Sequence, residues 1–319
     1  MKSDIFVICG PTACGKTPVA IELAKKINGE IISADSMQIY KHMNIGTAKI
    51  TEAETQGVAH YLIDELLPNE PYNAAAFKRR AADLIKDIKD RGKMPIICGG
   101  TGFYINALLF DTNFDNEAPT DCDGAYRAHL MEIASKNGPK YLHEMLRQAD
   151  AKSAYTIDVN NIKRVVRALE FYKIYGHPIS EHNTEQKKAK MAYDAAIFVL
   201  NSERQSMYAR INKRVDRMMA DGLLDEVENL LHMGYSPGLV SMQGLGYKEI
   251  VKYLQQNCSL QEAVDAIKQG TRRFAKRQVT WFKHQLPQAN WIDVEEHSSY
   301  GEVVQCMAQL KHTHLEKLH

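Results

Sequence analysis

Ile5-Phe6-Val7-Ile8-Cys9-Gly10-Pro11-Thr12-Ala13-Cys14-Gly15-Lys16-Thr17 is the stretch on which the fold of this 319-residue chain turns. Five apolar residues, three of them β-branched, spell a short buried strand. Gly10 to Thr17 then matches G-x-x-x-x-G-K-T, and Pro18–Ile27 follows as an amphipathic helix with Val19, Ala20, Leu23 and Ile27 on one face. Strand, glycine-rich loop and helix in that order are the context of a phosphate-binding loop. The glycines let backbone amides curl around an anion, and the helix N-terminus adds favourable partial charge. Gly10, Pro11, Thr12, Ala13, Cys14, Gly15, Lys16 and Thr17 are therefore the expected cradle for a diphosphate or polyphosphate. Lys16 would reach the terminal phosphate, and the Thr17 hydroxyl suits a Mg²⁺ ion.

Working outward, Glu30–Ala34 and Pro95–Cys98 read as further strands, with a long helix, Ala74–Arg91, between them. Such alternation implies a parallel sheet with crossover helices. Around Phe110–Asp123 the character changes, with Asp111, Asp115, Glu117, Asp121 and Asp123 beside Pro119 and Gly124. Helices are expected near 125–137, 139–149 and 160–175, followed by a polar stretch, Glu181–Lys190. Ala195–Leu200 reads as a strand rejoining the sheet. Arg204–Asp221, Leu223–Met233, Tyr247–Gln256 and Ser259–Gln285 complete a helical C-terminal part, the last opening on a Ser259/Glu262 capping box. The expected fold is α/β: a P-loop NTPase-like parallel sheet core over 1–115 and 194–319, with an all-helical domain inserted at 116–193.

Bulk properties narrow the class. The 45% hydrophobic and 25% charged composition is that of a globular protein with a sizeable core. No apolar run approaches a membrane span, and the first strand is too short for a signal-peptide core, so a cytoplasmic protein without membrane association is expected. None of the six cysteines forms a C-x-x-C pair, which argues against a zinc ribbon or a redox motif. The histidines are scattered, and His312 and His314 read as a solvated tail. The net charge of +1 neither demands nor excludes nucleic acid, because patches matter more than totals.

Several residues carry chemistry beyond the loop. A nucleotide hydrolase or kinase would bring a strand-end carboxylate for its metal. Pro95–Cys98 ends instead in Gly99-Gly100, while Glu30–Ala34 ends in Asp35. Asp35 is placed as a metal ligand or a general base, or alternatively as a turn or helix-cap residue. Gly99-Gly100-Thr101-Gly102 fits close approach to a ligand or merely a tight turn. Basic residues cluster on three helices: Lys163, Arg164 and Arg167; Arg204, Arg210, Lys213, Arg214 and Arg217; Arg272, Arg273, Lys276, Arg277 and Lys283. Any one could be a solvated face; three together, with Trp281 and Phe282 nearby, favour a polyanion such as RNA. A P-loop kinase or ATPase would explain the loop but not the clusters, and an RNA-binding nucleotide switch would explain the clusters but not Asp35.

The chain resembles the bacterial-type tRNA dimethylallyltransferases along nearly its whole length. The resemblance rests on G-P-T-A-C-G-K-T at 10–17, D-S-M-Q-I-Y at 35–40, N-I-G-T-A-K at 44–49 and G-G-T-G-F-Y at 99–104. It continues through K-R-V-V-R-A-L-E at 163–170, R-V-D-R-M at 214–218, G-L-G-Y-K-E at 244–249 and K-R-Q-V-T-W-F at 276–282. It implies transfer of a dimethylallyl group from dimethylallyl diphosphate to the exocyclic amine of the adenine 3′ to the tRNA anticodon, with Mg²⁺ as cofactor; a monomer is the default expectation for the chain. Asp35 would be the general base, with Lys16, Thr17 and Arg214 also catalytic and Arg210 adding charge near the diphosphate. Ser36, Met37, Gln38 and Thr101 would hold the extruded adenine. Arg127, Lys163, Arg164, Val165, Val166 and Arg167 of the insertion would grip the anticodon stem-loop. So would Gln243, Gly244, Leu245, Gly246, Tyr247 and Lys248, and the run Lys276, Arg277, Gln278, Val279, Thr280, Trp281, Phe282 and Lys283.

The implied chemistry agrees with the residues. Breaking an allylic carbon–oxygen bond develops negative charge on the diphosphate, which amides, Lys16 and Mg²⁺ would stabilise. An adenine amine is a poor nucleophile that a nearby carboxylate assists, and the base must leave its stack to reach the site. Departures from the family pattern are few. Cys14 stands where Ser is usual, an expected oxidation-sensitive thiol pointing into the phosphate site. Asp158-Val159-Asn160 replaces a His-Pro-Asn type sequence, and no Cys/His spacing fits a zinc finger.

Overall fold

The computed structural model describes residues 4–112, 125–186 and 190–316. The chain forms two compact units, Met1–Leu109 with Tyr193–His319, and Phe110–Ala192. These divisions fall a few residues from the boundaries read from sequence. The acidic stretch that suggested the first boundary lies, from residue 113 to 124, outside the described residues.

The first unit opens with β1 (Ile5–Cys9), α1 (Lys16–Ile27), β2 (Gly29–Ser33), α2 (Glu52–Thr55), β3 (His60–Tyr61), α3 (Ala74–Asp90), β4 (Met94–Gly99) and α4 (Gly102–Leu109). The second unit holds α5 (Ala125–Asn137), α6 (Pro139–Ala149), α7 (Ala151–Thr156), α8 (Ile162–Tyr175) and α9 (Ile179–Gln186). The chain returns to the first unit with β5 (Ala195–Asn201), α10 (Arg204–Ala220), α11 (Leu223–His232), α12 (Tyr247–Leu254), α13 (Leu260–Gln285), β6 (Asn290–Asp293) and α14 (Tyr300–Glu316).

The six strands form one parallel sheet in the order β3-β2-β4-β1-β5-β6. All five residues of β1 are buried, as a central strand covered on both faces requires. The registers Cys9↔Gly99 and Ser33↔Cys98 bring the ends of β1, β4 and β2 to one level. Three loops therefore leave side by side at the carboxyl edge of the sheet, where open α/β sheets bind ligands.

Ala24, Leu23, Val19 and Ala20 of α1 pack on this sheet together with Val303, Val304 and Met307 of α14. The second unit has its own core, built on Leu130, Leu142, Leu146, Val165, Val166 and Leu169. There the buried Asp150 carboxylate accepts from the backbone N–H and hydroxyl of both Ser153 and Ser180.

Several elements lie outside the sequence expectation, among them the short helices α2 and α7. β3 is two residues long and exists through its pairing with β2, a tertiary contact without local signal. β6 is a four-residue edge strand beside β5. The segment read as a solvated tail around His312 and His314 belongs to α14, whose Val303 and Met307, four residues apart, are buried. The polar stretch at 181–190 is helical through Gln186, as the end of α9. The Ser259/Glu262 capping box of α13 is present, with bonds of 3.3 and 2.8 Å. At 26 residues, α13 is about 39 Å long.

Candidate active site

The Gly10–Thr17 loop turns from β1 into α1 through two residues in the left-handed region, Ala13 (φ 62°) and Gly15 (φ 81°), the latter capping the helix. Its shape is held from outside. Gln278 of α13 is buried, and its side-chain amide bridges two loops: Oε1 accepts from the Thr12 N–H at 2.9 Å, and Nε2 donates to the Gly100 carbonyl at 2.9 Å. Arg210 donates to the Ala13 carbonyl at 3.0 Å, to Glu295 at 2.6 Å and to the Ser202 hydroxyl. Arg214, one turn further along α10, points its Nη1 at the Thr12 hydroxyl, 3.3 Å away. Burial lowers the Arg214 pKa and the nearby Asp35 carboxylate opposes that shift; an arginine keeps its charge regardless.

Asp35 follows β2 in a tight turn, its Oδ1 accepting from the N–H groups of Met37 (2.8 Å) and Gln38 (3.3 Å). One oxygen is thus held by the backbone, which orients the carboxylate. The neighbouring loop after β4 is laced to this turn: the Thr101 N–H donates to the Ala34 carbonyl, and the Ser36 N–H donates to the Thr101 hydroxyl at 3.1 Å. The glycines of 99–102 are required by these approaches. A Cβ on Gly99 would lie 2.2 Å from the Ala34 carbonyl oxygen, and one on Gly102 would lie 2.2 Å from the Trp281 ring. The choice between ligand approach and turn resolves toward a third cause, contact with Ala34, Gln278 and Trp281.

A cavity of about 310 Å³ opens over these loops. Its polar end is formed by Thr12, Asp35, Thr101 and Arg214, and its apolar wall by Ile211, Val215, Met218, Leu245, Ile267 and Phe274. A charged end that meets an apolar wall suits a ligand with a phosphate head and a hydrocarbon tail.

The expected residues divide in this structure. Thr12, Asp35, Ser36, Met37, Thr101, Arg214, Gly244, Leu245, Gly246, Tyr247, Lys248, Arg277 and Gln278 line one cavity. Lys16 folds back, its Nζ donating to the Pro11 carbonyl at 2.7 Å. Gln38 is already engaged, its Nε2 donating to the Thr47 and Ala48 carbonyls at 3.3 and 3.2 Å; it braces a neighbouring loop instead of offering a free edge to a base. Lys276 and Lys283 are exposed on α13.

Other expectations are corrected by burial. The side chains of Val165 and Val166 lie in the core of the second unit, and that of Phe282 in the core of the first, so none of the three presents itself to RNA, while Tyr247 is buried with its ring against the cavity. Gln278 lines the cavity, but its amide is committed to the Thr12 N–H and the Gly100 carbonyl. Their places in basic motifs reflect helix periodicity: the exposed Lys163, Arg164 and Arg167 surround Val165 and Val166 on the opposite face. Arg127 is held by Glu170 in a two-bond pair at 2.8 and 2.6 Å. Cys14 does not point into an open site. It is 1% exposed within the core around β1 and α1, and burial raises its thiol pKa against the influence of Lys16. Arg210 is committed to Ala13, Ser202 and Glu295, and of Arg210 and Arg214 it is Arg214 that lines the cavity. The bracing role of Gln278 had no sequence signal other than a polar residue on an apolar helix face.

Among the described residues no helix is long and apolar enough to cross a membrane. The family model described as IPP transferase matches residues 38–285. A tRNA dimethylallyltransferase of Lachnoclostridium phytofermentans is 49% identical over 306 residues, covering 96% of each chain. The crystal structure of a tRNA delta(2)-isopentenylpyrophosphate transferase from Staphylococcus epidermidis superposes with a TM-score of 0.69 at 43% identity, over 98% of this chain and 99% of that one. A eukaryotic dimethylallyltransferase captured acting on tRNA gives 0.76 at 30% identity, over 91% of this chain and 73% of its own. With its parallel sheet, the loop at its carboxyl edge, a family model over most of its length and a relative 49% identical over 96% of each chain, the chain belongs to the IPP transferase family, that of the tRNA dimethylallyltransferases.

Proposed function

We propose that the cavity between the Gly10–Thr17 loop and Asp35 is where this enzyme transfers a dimethylallyl group from dimethylallyl diphosphate to an adenine amine of tRNA beside the anticodon. The observation that carries the reading is the common lining of one cavity by Thr12, Asp35, Thr101 and Arg214, with an apolar wall beside them. The diphosphate lies against the loop, whose amides and Lys16 receive the charge that develops as the carbon–oxygen bond breaks. Arg214 adds a buried positive charge on the same side. The five-carbon group rests along the apolar wall, which excludes water from the allylic cation.

Asp35 accepts the proton from the attacking amine. Its Oδ1 is held by two backbone N–H groups, so Oδ2 is the oxygen left to face the nucleophile. The exposed basic residues of α13, Lys276 and Lys283, with Arg277 at the cavity rim, face the tRNA phosphates, and Lys163, Arg164 and Arg167 do so from the second unit.

Magnesium fits the donor set. No group of three or more His, Cys, Asp or Glu forms a metal cage among the described residues. A Mg²⁺ ion retains waters and takes oxygens from substrate phosphates, so the Thr17 hydroxyl at the start of α1 suffices as the protein's hard donor. When bound, the ion supplies charge neutralisation to the departing diphosphate.

The test is incubation with unmodified tRNA, radiolabelled dimethylallyl diphosphate and Mg²⁺. Label enters tRNA with the wild type, and Asp35→Ala lowers the rate by about 10² or more while tRNA affinity is kept. Normal turnover in that variant removes Asp35 as the base; ATP hydrolysis without transfer removes the whole reading.

A further inference from the structure

Glu226, on α11, stands behind the cavity without lining it, and its carboxylate is fully engaged. Oε2 accepts from the N–H groups of Asn44 (2.7 Å) and Ile45 (2.8 Å). Oε1 accepts from the Gly46 N–H (3.0 Å) and the Tyr247 hydroxyl (2.7 Å). Four donors on two oxygens saturate a carboxylate. Three successive backbone amides on a single anion define the path of the loop as a bound phosphate defines a nest.

What this anchor holds reaches the site. Gly46 lies flat on the Tyr247 ring; a Cβ there would be 2.6 Å from the ring carbons. Gly46, Thr47 and Tyr247 all line the cavity. The carbonyls of Thr47 and Ala48 receive the Gln38 side-chain amide, and the Gln38 N–H donates to Asp35 Oδ1. A continuous path of hydrogen bonds thus runs from Glu226 through loop 44–48 and Gln38 to the Asp35 carboxylate. Burial, reinforced by the Glu226 carboxylate, holds the Tyr247 phenol well above its ordinary pKa, so it remains a donor. Lys49 closes the loop from the other end, donating to the Tyr40 carbonyl, Asn44 Oδ1 and Asp64.

We propose that Glu226 is a positioning residue for the acceptor side of the reaction, fixing the aim of Asp35 through the Asn44–Gly46 amides, Tyr247 and Gln38. The inference deepens the transferase reading and rests on it. It explains why N-I-G-T-A-K at 44–49 accompanies the catalytic motifs although none of its side chains is assigned a chemical step: Gly46 is needed for the ring contact, Asn44 to Gly46 present amides, Thr47 and Ala48 present carbonyls, and the Lys49 side chain ties the end of the loop.

The test uses Glu226→Gln, which keeps the shape but replaces one oxygen by an NH₂ group facing N–H or O–H donors. Transfer kinetics are measured at saturating tRNA and at saturating dimethylallyl diphosphate, in the wild type and in an Asp35→Asn background. The expected result is a fall in kcat of about tenfold to a hundredfold, with the KM for dimethylallyl diphosphate within about twofold of wild type. In the Asp35→Asn background the further loss shrinks to about twofold or less, because a residue acting through Asp35 has nothing left to aim. Tyr247→Phe, which keeps the buried ring and removes one donor, is expected to lower kcat about threefold to tenfold in the same Asp35-dependent way. It decides the matter if Glu226→Gln fails to fold.

An unchanged kcat in these variants, an equal loss in both backgrounds, or a loss confined to the diphosphate KM overturns the proposal. An inactive wild type instead refutes the transferase reading on which it stands.

Discussion

Gln278→Glu is a near-isosteric change whose outcome depends on pH in a direction that the structure dictates. Gln278 is buried between an N–H donor, Thr12, and a carbonyl acceptor, Gly100, each at 2.9 Å. A neutral carboxylic acid reproduces both bonds, its carbonyl accepting from Thr12 and its hydroxyl donating to Gly100. A carboxylate keeps the first and opposes the second, and is desolvated as well. Both causes raise the folded pKa of the introduced carboxyl above its unfolded value of about 4.3. Protons are then bound more tightly in the folded state, so stability relative to wild type falls as pH rises through this window. The fall is about 1.4 kcal/mol per pH unit up to the folded pKa, and as much as about 3.7 kcal/mol at pH 7 for a carboxyl that stays neutral throughout.

Urea unfolding of both proteins at half-unit steps from pH 4 to pH 8 measures it. The two stabilities approach each other near pH 4 and diverge above it. Because the same amide shapes the loop at Thr12, the KM for dimethylallyl diphosphate rises over the same range. Parallel stability curves would mean that Gln278 does not bridge Thr12 and Gly100, and the account of how the loop is held would be wrong.

The Glu30 carboxylate, paired with Arg91, opposed by burial and supported by Lys93 and Tyr61, has its pKa lowered to about 2. A depressed carboxylate stabilises the fold above its unfolded pKa and loses that contribution as pH falls toward the folded one; Glu30→Gln should flatten the acid limb between about pH 4.5 and 2 in urea midpoints, and an unaltered limb refutes the assignment. Gly99→Ala should destabilise the first unit by about 1–3 kcal/mol or more, since its Cβ would meet the Ala34 carbonyl oxygen at 2.2 Å; a thermal midpoint equal to wild type would contradict that packing. Asp150→Ala strips the acceptor from four donors of Ser153 and Ser180 and should cost about 2–4 kcal/mol, read as lost hydrogen-exchange protection confined to the second unit. Iodoacetamide should modify the partly exposed Cys258 and Cys306 before the buried Cys14, and mass spectrometry showing early labelling of Cys14 would place its thiol in the open site after all.

Much of the architecture was legible because local pattern and tertiary role coincide. Ile5–Cys9 is apolar at every position, as only a strand buried on both faces needs to be, and the break at Gly10 marks its end. Ser259 and Glu262 announce α13 because a capping box is a contact within four residues. Asp35 stood out as a carboxylate at a strand end beside a phosphate loop that lacked its usual metal partner. β3 and β6 were not legible, since two- and four-residue strands at sheet edges are defined by their neighbours. α14 was overlooked although Val303 and Met307 carry helical spacing.

By itself the sequence determined the strand–loop–helix unit, the helical insertion and the family, because these rest on short-range pattern and on motifs in fixed order. Tertiary structure alone decided which residues of each motif face the cavity. K-R-Q-V-T-W-F contributes Arg277 to the rim but turns Gln278 inward as a brace and buries Phe282. K-R-V-V-R exposes its charges and hides its valines. Cys14 packs into the core, Gln38 holds a loop, and Glu226, in no motif, anchors the segment behind Asp35. The reason is geometric: a motif records which residues occur together, whereas facing, burial and partnership across 180 residues of chain between Glu226 and Gly46 depend on how separate helices close over the sheet.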